Sequence, residues 1–133
     1  MKFVLTILVA LAVAGSALAA PNNATITIKH QTRGCHNWSL DGKTWHASQS
    51  LTLVRGAVLA VVDKDVMPHK LIQLSGPKAA LAGVAMKHIG ATAHIGFPVK
   101  GTYVFTTKAG EDYLKGIKTI GEDNVLKLVV KVT

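Results

Sequence analysis

The sequence predicts an all-β fold, a Greek-key β-sandwich of seven to eight strands with at most one short helix. Three observations point there. About seven short segments alternate apolar and polar residues with period two, as half-buried strands do. Gly, Pro and Asp punctuate the chain between them. The long helical patterns that would link parallel strands in a βαβ fold are missing.

The strands follow in order. Ala24-Thr25-Ile26-Thr27-Ile28-Lys29 alternates cleanly, and the chain then runs through Gly34-Cys35-His36 to Trp38 before a turn at Asp41-Gly42. Ser50-Leu51-Thr52-Leu53 alternates again, and Arg55-Gly56 turns into Val58-Leu59-Ala60-Val61-Val62. Asp63 to Pro68 reads as a loop, because Pro68 lacks an N–H and disfavours helix before it. His69 to Leu74 is the next strand, closed by Ser75-Gly76-Pro77. The Ala-rich stretch from Lys78 to His88 is the place for a short helix, weakened by Gly83. Thr92 to Phe97 is a strand stopped by Pro98, and Lys100-Gly101 turns into Thr102-Tyr103-Val104-Phe105-Thr106. Asp112 to Lys118 is expected to form a helical turn, and Asn124 to Thr133 is the final strand. Together these suggest an antiparallel two-sheet sandwich.

The N-terminus is set apart. Lys2 precedes an apolar run from Phe3 to Gly15, broken only by Thr6, and then Ser16-Ala17-Leu18-Ala19-Ala20. One positive charge, a short apolar stretch and an A-x-A site describe a secretory signal peptide over residues 1–19, with a single domain over 20–133. The run is too short for a stable membrane span, so no span is expected in the mature chain. The expected location is periplasmic or secreted, and the expected state is a monomer.

Charge and cysteine content narrow the function classes. The 133 residues hold 15 Lys+Arg against 7 Asp+Glu, a formal charge of +8 that loss of Lys2 lowers by one. This balance favours acidic partners. The lysines are scattered singly, with no basic run interleaved with aromatics, which argues against nucleic acid. One Cys excludes an internal disulfide. A lone thiol in an oxidising compartment needs burial or an occupant, and Cys35 is that thiol.

The soft and borderline metal donors are His30, Cys35, His36, His46, Met67, His69, Met86, His88 and His94. Thiolate, thioether and imidazole together suit copper, above all Cu(I). No H-E-x-x-H, no C-x-x-C and no G-x-S-x-G occurs, so the usual zinc and hydrolase signatures are absent and no enzyme is expected.

Asp63-Lys64-Asp65-Val66-Met67-Pro68-His69-Lys70-Leu71 resembles the first-histidine loop of the cupredoxins, the small copper β-sandwiches. Gly101-Thr102-Tyr103-Val104-Phe105 is similar to that family's penultimate strand, and the likeness extends over roughly residues 24–133. The resemblance implies a cupredoxin-like sandwich holding one copper ion, Cu(I)/Cu(II), with His69 as a ligand. One departure stands out. The family carries Cys, His and Met on the loop after the G-T-Y strand, whereas Thr106 to Tyr113 contains none of them. Glu111 or Asp112 would offer only hard oxygen there.

The resemblance extends to cupredoxin-domain proteins in which a G-C-H-x-W segment precedes the M-P-H loop. It implies a rearranged centre of Cys35, His69, Met86 and one imidazole, from His36 or His30. Each residue also has a plainer reading: Cys35 and Met86 as core filling, the histidines as structural or solvated, and Trp38 and Trp45 as core. His46, His88 and His94 read as solvated. The expected function is copper-linked electron transfer, with an acidic redox or copper-donor/acceptor protein as partner. The alternatives are a copper carrier or copper-tolerance protein, and a metal-free binding module on the same fold.

Overall fold

Alternation decides which side chains face inward, and the inward rows fix two sheets. The computed structural model describes residues 21–31, 36–110, 115–116 and 124–133. The expected signal peptide, Cys35, and all of the Asp112–Lys118 turn except 115–116 lie outside the described residues.

Ten strands run in chain order: β1 (Asn23–His30), β2 (His36–Ser39), β3 (Ser48–Leu53), β4 (Val58–Asp63), β5 (His69–Ser75), β6 (Ala80–Ala82), β7 (Ala85–Met86), β8 (Ala91–Gly96), β9 (Gly101–Ala109) and β10 (Lys127–Val132). One sheet has the order β2-β1-β4-β8-β6 and the other β3-β10-β9-β5-β7. The sandwich is the one expected. The added strands are the short β2, β6 and β7, too brief to show a period in the sequence.

Two details differ from expectation. The sheets are mixed, because β1 runs parallel to β4 and β3 parallel to β10. Period-two patterning marks a face but not the direction of the neighbour, so this pairing was not legible. The Ala-rich stretch forms β6 and β7 in place of the short helix. Gly83 between them has φ +64, and the backbone is taken up by sheet edges: β6 pairs with β8, β7 with β5, and Leu71 N–H donates to Val84 O. Alanine favours helix strongly, but Gly83 interrupts the run, and hydrogen bonds to the neighbouring strands outweigh the local propensity that remains.

Between the sheets, Ile26, Ile28, Trp38, Leu59, Val61, Leu71, Ile95, Phe97, Tyr103, Phe105, Leu128 and Val130 are buried. Each buried large side chain contributes roughly 1.5–3 kcal/mol. Phe97 packs edge-on against Tyr103 with ring centroids 5.0 Å apart. The inward rows continue past this apolar core at one pole. On β4 the row Leu59, Val61 ends in Asp63; on β2 Trp38 is preceded by His36; on β5 Leu71 is preceded by His69. The alternation that builds the core thus delivers polar side chains to its end.

Candidate metal centre

His36 and His69 meet at this pole, 33 positions apart in sequence but with ring centroids 4.5 Å apart at an interplanar angle of 89°. Both are buried. The β4–β5 loop places Asp65 between them. It is shaped by two turns in which carboxylates accept backbone N–H groups, Asp65 N–H to Asp63 Oδ1 at 2.9 Å and Met67 N–H to Asp65 Oδ1 at 3.1 Å. Asp65 is 1% exposed. Its Oδ2 lies 2.9 Å from His69 Nε2 and 3.6 Å from His36 Nδ1.

The outer atoms of both rings are anchored. His36 Nε2 lies 2.8 Å from the Asn124 carbonyl. A carbonyl only accepts, so Nε2 carries a proton and Nδ1 is the nitrogen turned toward Asp65. Asn124 also donates through Nδ2 to His36 O and Asn37 Oδ1, tying β2 to the chain that enters β10. His69 Nδ1 lies 2.9 Å from Thr107 Oγ1, a hydroxyl that can donate or accept.

Two carboxyls at this pole behave differently. Burial works to raise the Asp65 carboxyl. The hydrogen bonds from His69 and Met67 N–H, and the charges of His69 and His36, outweigh it and hold the group below its usual range. Burial pushes Asp63 up to about 7, and its Oδ2 is buried with no hydrogen-bond partner among the described residues.

The sequence-predicted residues fall as follows. His69 and His36 come together in the buried cluster. Met86, also fully buried, pairs directly with His69 across β5 and β7, which puts both side chains on one face. His30 pairs with His36 across β1 and β2 but stands at the rim, its side chain 55% exposed and Nδ1 3.8 Å from Asp65 Oδ1. Cys35 lies outside the described residues; it is bonded to His36 in the chain. His46, His88 and His94 are exposed, and Trp38 is core, its indole N–H donating to Ala47 O at 2.9 Å.

Asp65, Thr107 and Asn124 were missed from sequence. A signal for Asp65 existed: the chain has only 7 acidic residues, and two of them, Asp63 and Asp65, stand close before His69. Thr107 lies in the segment that departs from the cupredoxin pattern, where β9 continues as a strand and supplies a hydroxyl behind His69.

The donors fit a metal ion. His36, Asp65 and His69 each offer one atom, and the three lie within 4.8 Å of one another. Two imidazoles and a carboxylate suit borderline divalent ions, copper(II) among them; soft donors from Met86 and Cys35 would extend the fit to Cu(I).

No protein-family model matches the sequence, and no curated protein matches it. Among solved structures the chain is similar to a purple cupredoxin from Nitrosopumilus maritimus, at 14% identity over 83% of this chain and 99% of that one, with a TM-score of 0.46. It is similar to auracyanin from Roseiflexus castenholzii at 13% identity, 86% and 99% coverage and a TM-score of 0.46. An amicyanin variant gives 11% identity, 82% coverage of both chains and a TM-score of 0.43. No helix of the described residues is long and apolar enough to cross a membrane. By its own strand pairing, two mixed five-stranded sheets face to face, the chain folds as a cupredoxin-like β-sandwich.

Proposed function

We propose that this chain is an exported copper-binding protein that serves in electron transfer through one mononuclear site at the His36–His69 pole. The observation that carries the reading is the buried pair of imidazoles, with Met86 paired to His69 on the same face. Cys35, next to His36 in the chain, would add a thiolate. A thiolate, two imidazoles and a thioether are donors that copper accepts in both oxidation states. The protein's part is to hold the rings: Asn124 and Thr107 fix their orientation, and burial excludes water. A rigid, dry site limits rearrangement when the ion gains or loses an electron. The excess of lysine over acidic residues suits an acidic redox partner.

Copper carriage is the second reading, and His30 favours it. An imidazole 55% exposed and 3.8 Å from Asp65 stands between solvent and the buried donors. It is suited to receive an ion and pass it inward.

Titration of the reduced protein with copper, followed by visible absorption, tests both. A thiolate-to-Cu(II) band that Cys35→Ser removes, with binding weakened by His69→Ala, supports electron transfer. A colourless product with tight Cu(I) binding points to carriage. Absence of binding to either ion leaves a metal-free binding module and rejects the copper reading.

A further inference from the structure

We propose that Asp65 is itself a metal ligand, and that His36 Nδ1, Asp65 Oδ2 and His69 Nε2 form a site for a divalent cation, Cu2+ in the setting proposed above. The inference rests on that reading for the identity of the metal, but not on Cys35. It assigns the pole a ligand that the cupredoxin resemblance does not supply.

Distance is the first argument. An ion with bonds of about 2.0–2.2 Å holds neighbouring donors roughly 3–4 Å apart. Asp65 Oδ2 is 2.9 Å from His69 Nε2 and 3.6 Å from His36 Nδ1, and all three atoms fall within 4.8 Å. Small movements would seat an ion among them.

Support behind each donor is the second. The second nitrogen of His36 is bound by the Asn124 carbonyl, the second nitrogen of His69 meets Thr107 Oγ1, and the second oxygen of Asp65 accepts the Met67 N–H. Metal-binding imidazoles and carboxylates are characteristically anchored this way on the atom facing away from the ion. Here all three are anchored at once, by groups from three separate segments.

The third is charge. The ionised Asp65 accepts the Nε2–H of His69, and coordination would exchange that hydrogen bond for two bonds to the ion. The ion takes the place of the Nε2 proton, one H+ is released to solvent, and the neutral ring carries its remaining proton on Nδ1, where the Thr107 hydroxyl can accept it. A buried carboxylate is then neutralised by a cation, as buried charges require. A donor set of two nitrogens and one oxygen favours a divalent ion over Cu+. A structural Asp–His hydrogen bond would account for the 2.9 Å contact alone, but not for three donors each held from behind.

The test uses the Cys35→Ser protein, in which no thiolate can contribute, titrated with Cu2+ and separately with Cu+. One Cu2+ per chain is expected, with an electron paramagnetic resonance spectrum showing imidazole nitrogen. Adding Asp65→Asn should weaken Cu2+ by about 10–100-fold or more, the loss seen when even outer support of a metal site is removed. Cu+ affinity should change far less. The proposal is overturned if Asp65→Asn binds Cu2+ like its parent. It is also overturned if Cys35→Ser alone abolishes binding of both ions, an outcome that leaves the thiolate-centred reading standing. If the native chain binds neither ion, both readings fall. Should Asp65→Asn not fold, carbon NMR of aspartate-labelled protein titrated with Zn2+ decides. The Asp65 carboxyl signal moving with one equivalent supports ligation, and a still signal beside moving His36 and His69 resonances overturns it.

Discussion

Thr107 Oγ1 stands 2.9 Å from Nδ1 of His69, so the strand that lacks every expected copper donor still orients the histidine that matches the cupredoxin first-histidine motif. The contact crosses from β9 to β5, where Thr107 pairs with Leu71 and His69 with Ala109. A ring buried on all sides and bonded at both nitrogens has one orientation available. Its direction is therefore set from two sides, by Thr107 on the sheet and by Asp65 in the loop that precedes it.

Thr107→Val tests this directly, because valine keeps the shape and removes the hydroxyl. Copper affinity should fall by about 10–100-fold, as for other losses of support behind a ligand. Folding stability should fall by only about 1 kcal/mol, the net value of one hydrogen bond. Competition titration and urea unfolding separate the two effects; equal copper affinity in both proteins would remove Thr107 from the site.

Trp38→Ala should be among the most destabilising single changes. Trp38 is fully buried in β2 and donates to Ala47 O at 2.9 Å. The cavity and the lost transfer energy together cost about 3–5 kcal/mol. Urea denaturation should show a lower midpoint with the slope preserved, and a loss below about 1 kcal/mol would contradict the packing.

Gly76 occupies a position that no other residue fits. Its φ is +99, and an added Cβ would collide with Thr102 O and come within 2.8 Å of the Tyr103 Cα. Both obstacles are backbone and cannot swing aside. Gly76→Ala should therefore destabilise by more than about 1 kcal/mol. Gly56→Ala makes the control, with φ +87 and nothing within 4 Å of the added Cβ, so the difference in thermal midpoint isolates the collision.

Asp41 should give the fold a measurable acid dependence. It accepts hydrogen bonds from Ser39 Oγ, Lys43 N–H, Thr44 N–H and Thr44 Oγ1. The backbone bonds from Thr44 and Lys43, followed by that from Ser39, hold its carboxyl well below the usual range. A carboxyl depressed in the folded state stabilises above its unfolded value of about 3.9, and that contribution is lost as pH falls through the folded value. Asp41→Asn should lower the thermal midpoint at pH 6, with the gap from the parent closing as pH drops below about 4. A gap that stays constant from pH 6 down to strong acid would refute the assignment.

Much of the sandwich was legible because alternation records burial locally. Ile26 and Ile28, Leu59 and Val61, Tyr103 and Phe105, and Leu128 and Val130 face inward as their spacing indicates. Exposure of His46, His88 and His94 was legible too, as was a polar pole beginning at His69. What a period of two cannot carry is the identity of the neighbouring strand. Hence the parallel pairing of β1 with β4 appeared only in the structure, and with it the mixed sheets. The Ala-rich stretch failed for a related reason: local propensity favoured helix by a small margin, and hydrogen bonds to β5 and β8 reversed it.

Fold class, inward faces and the supply of metal donors can be read from residue order over a few positions. Which of those donors converge depends on how the two sheets close. His36, the Asp65–His69 segment, Thr107 and Asn124 come from four separate places along the chain, and the His36–Asn124 bond spans 88 positions. The scarcity of acidic residues draws notice to Asp65, but nothing local says which groups it will meet. It becomes a partner of two imidazoles because two sheets close over it, bury its charge, and leave those rings as the groups within reach.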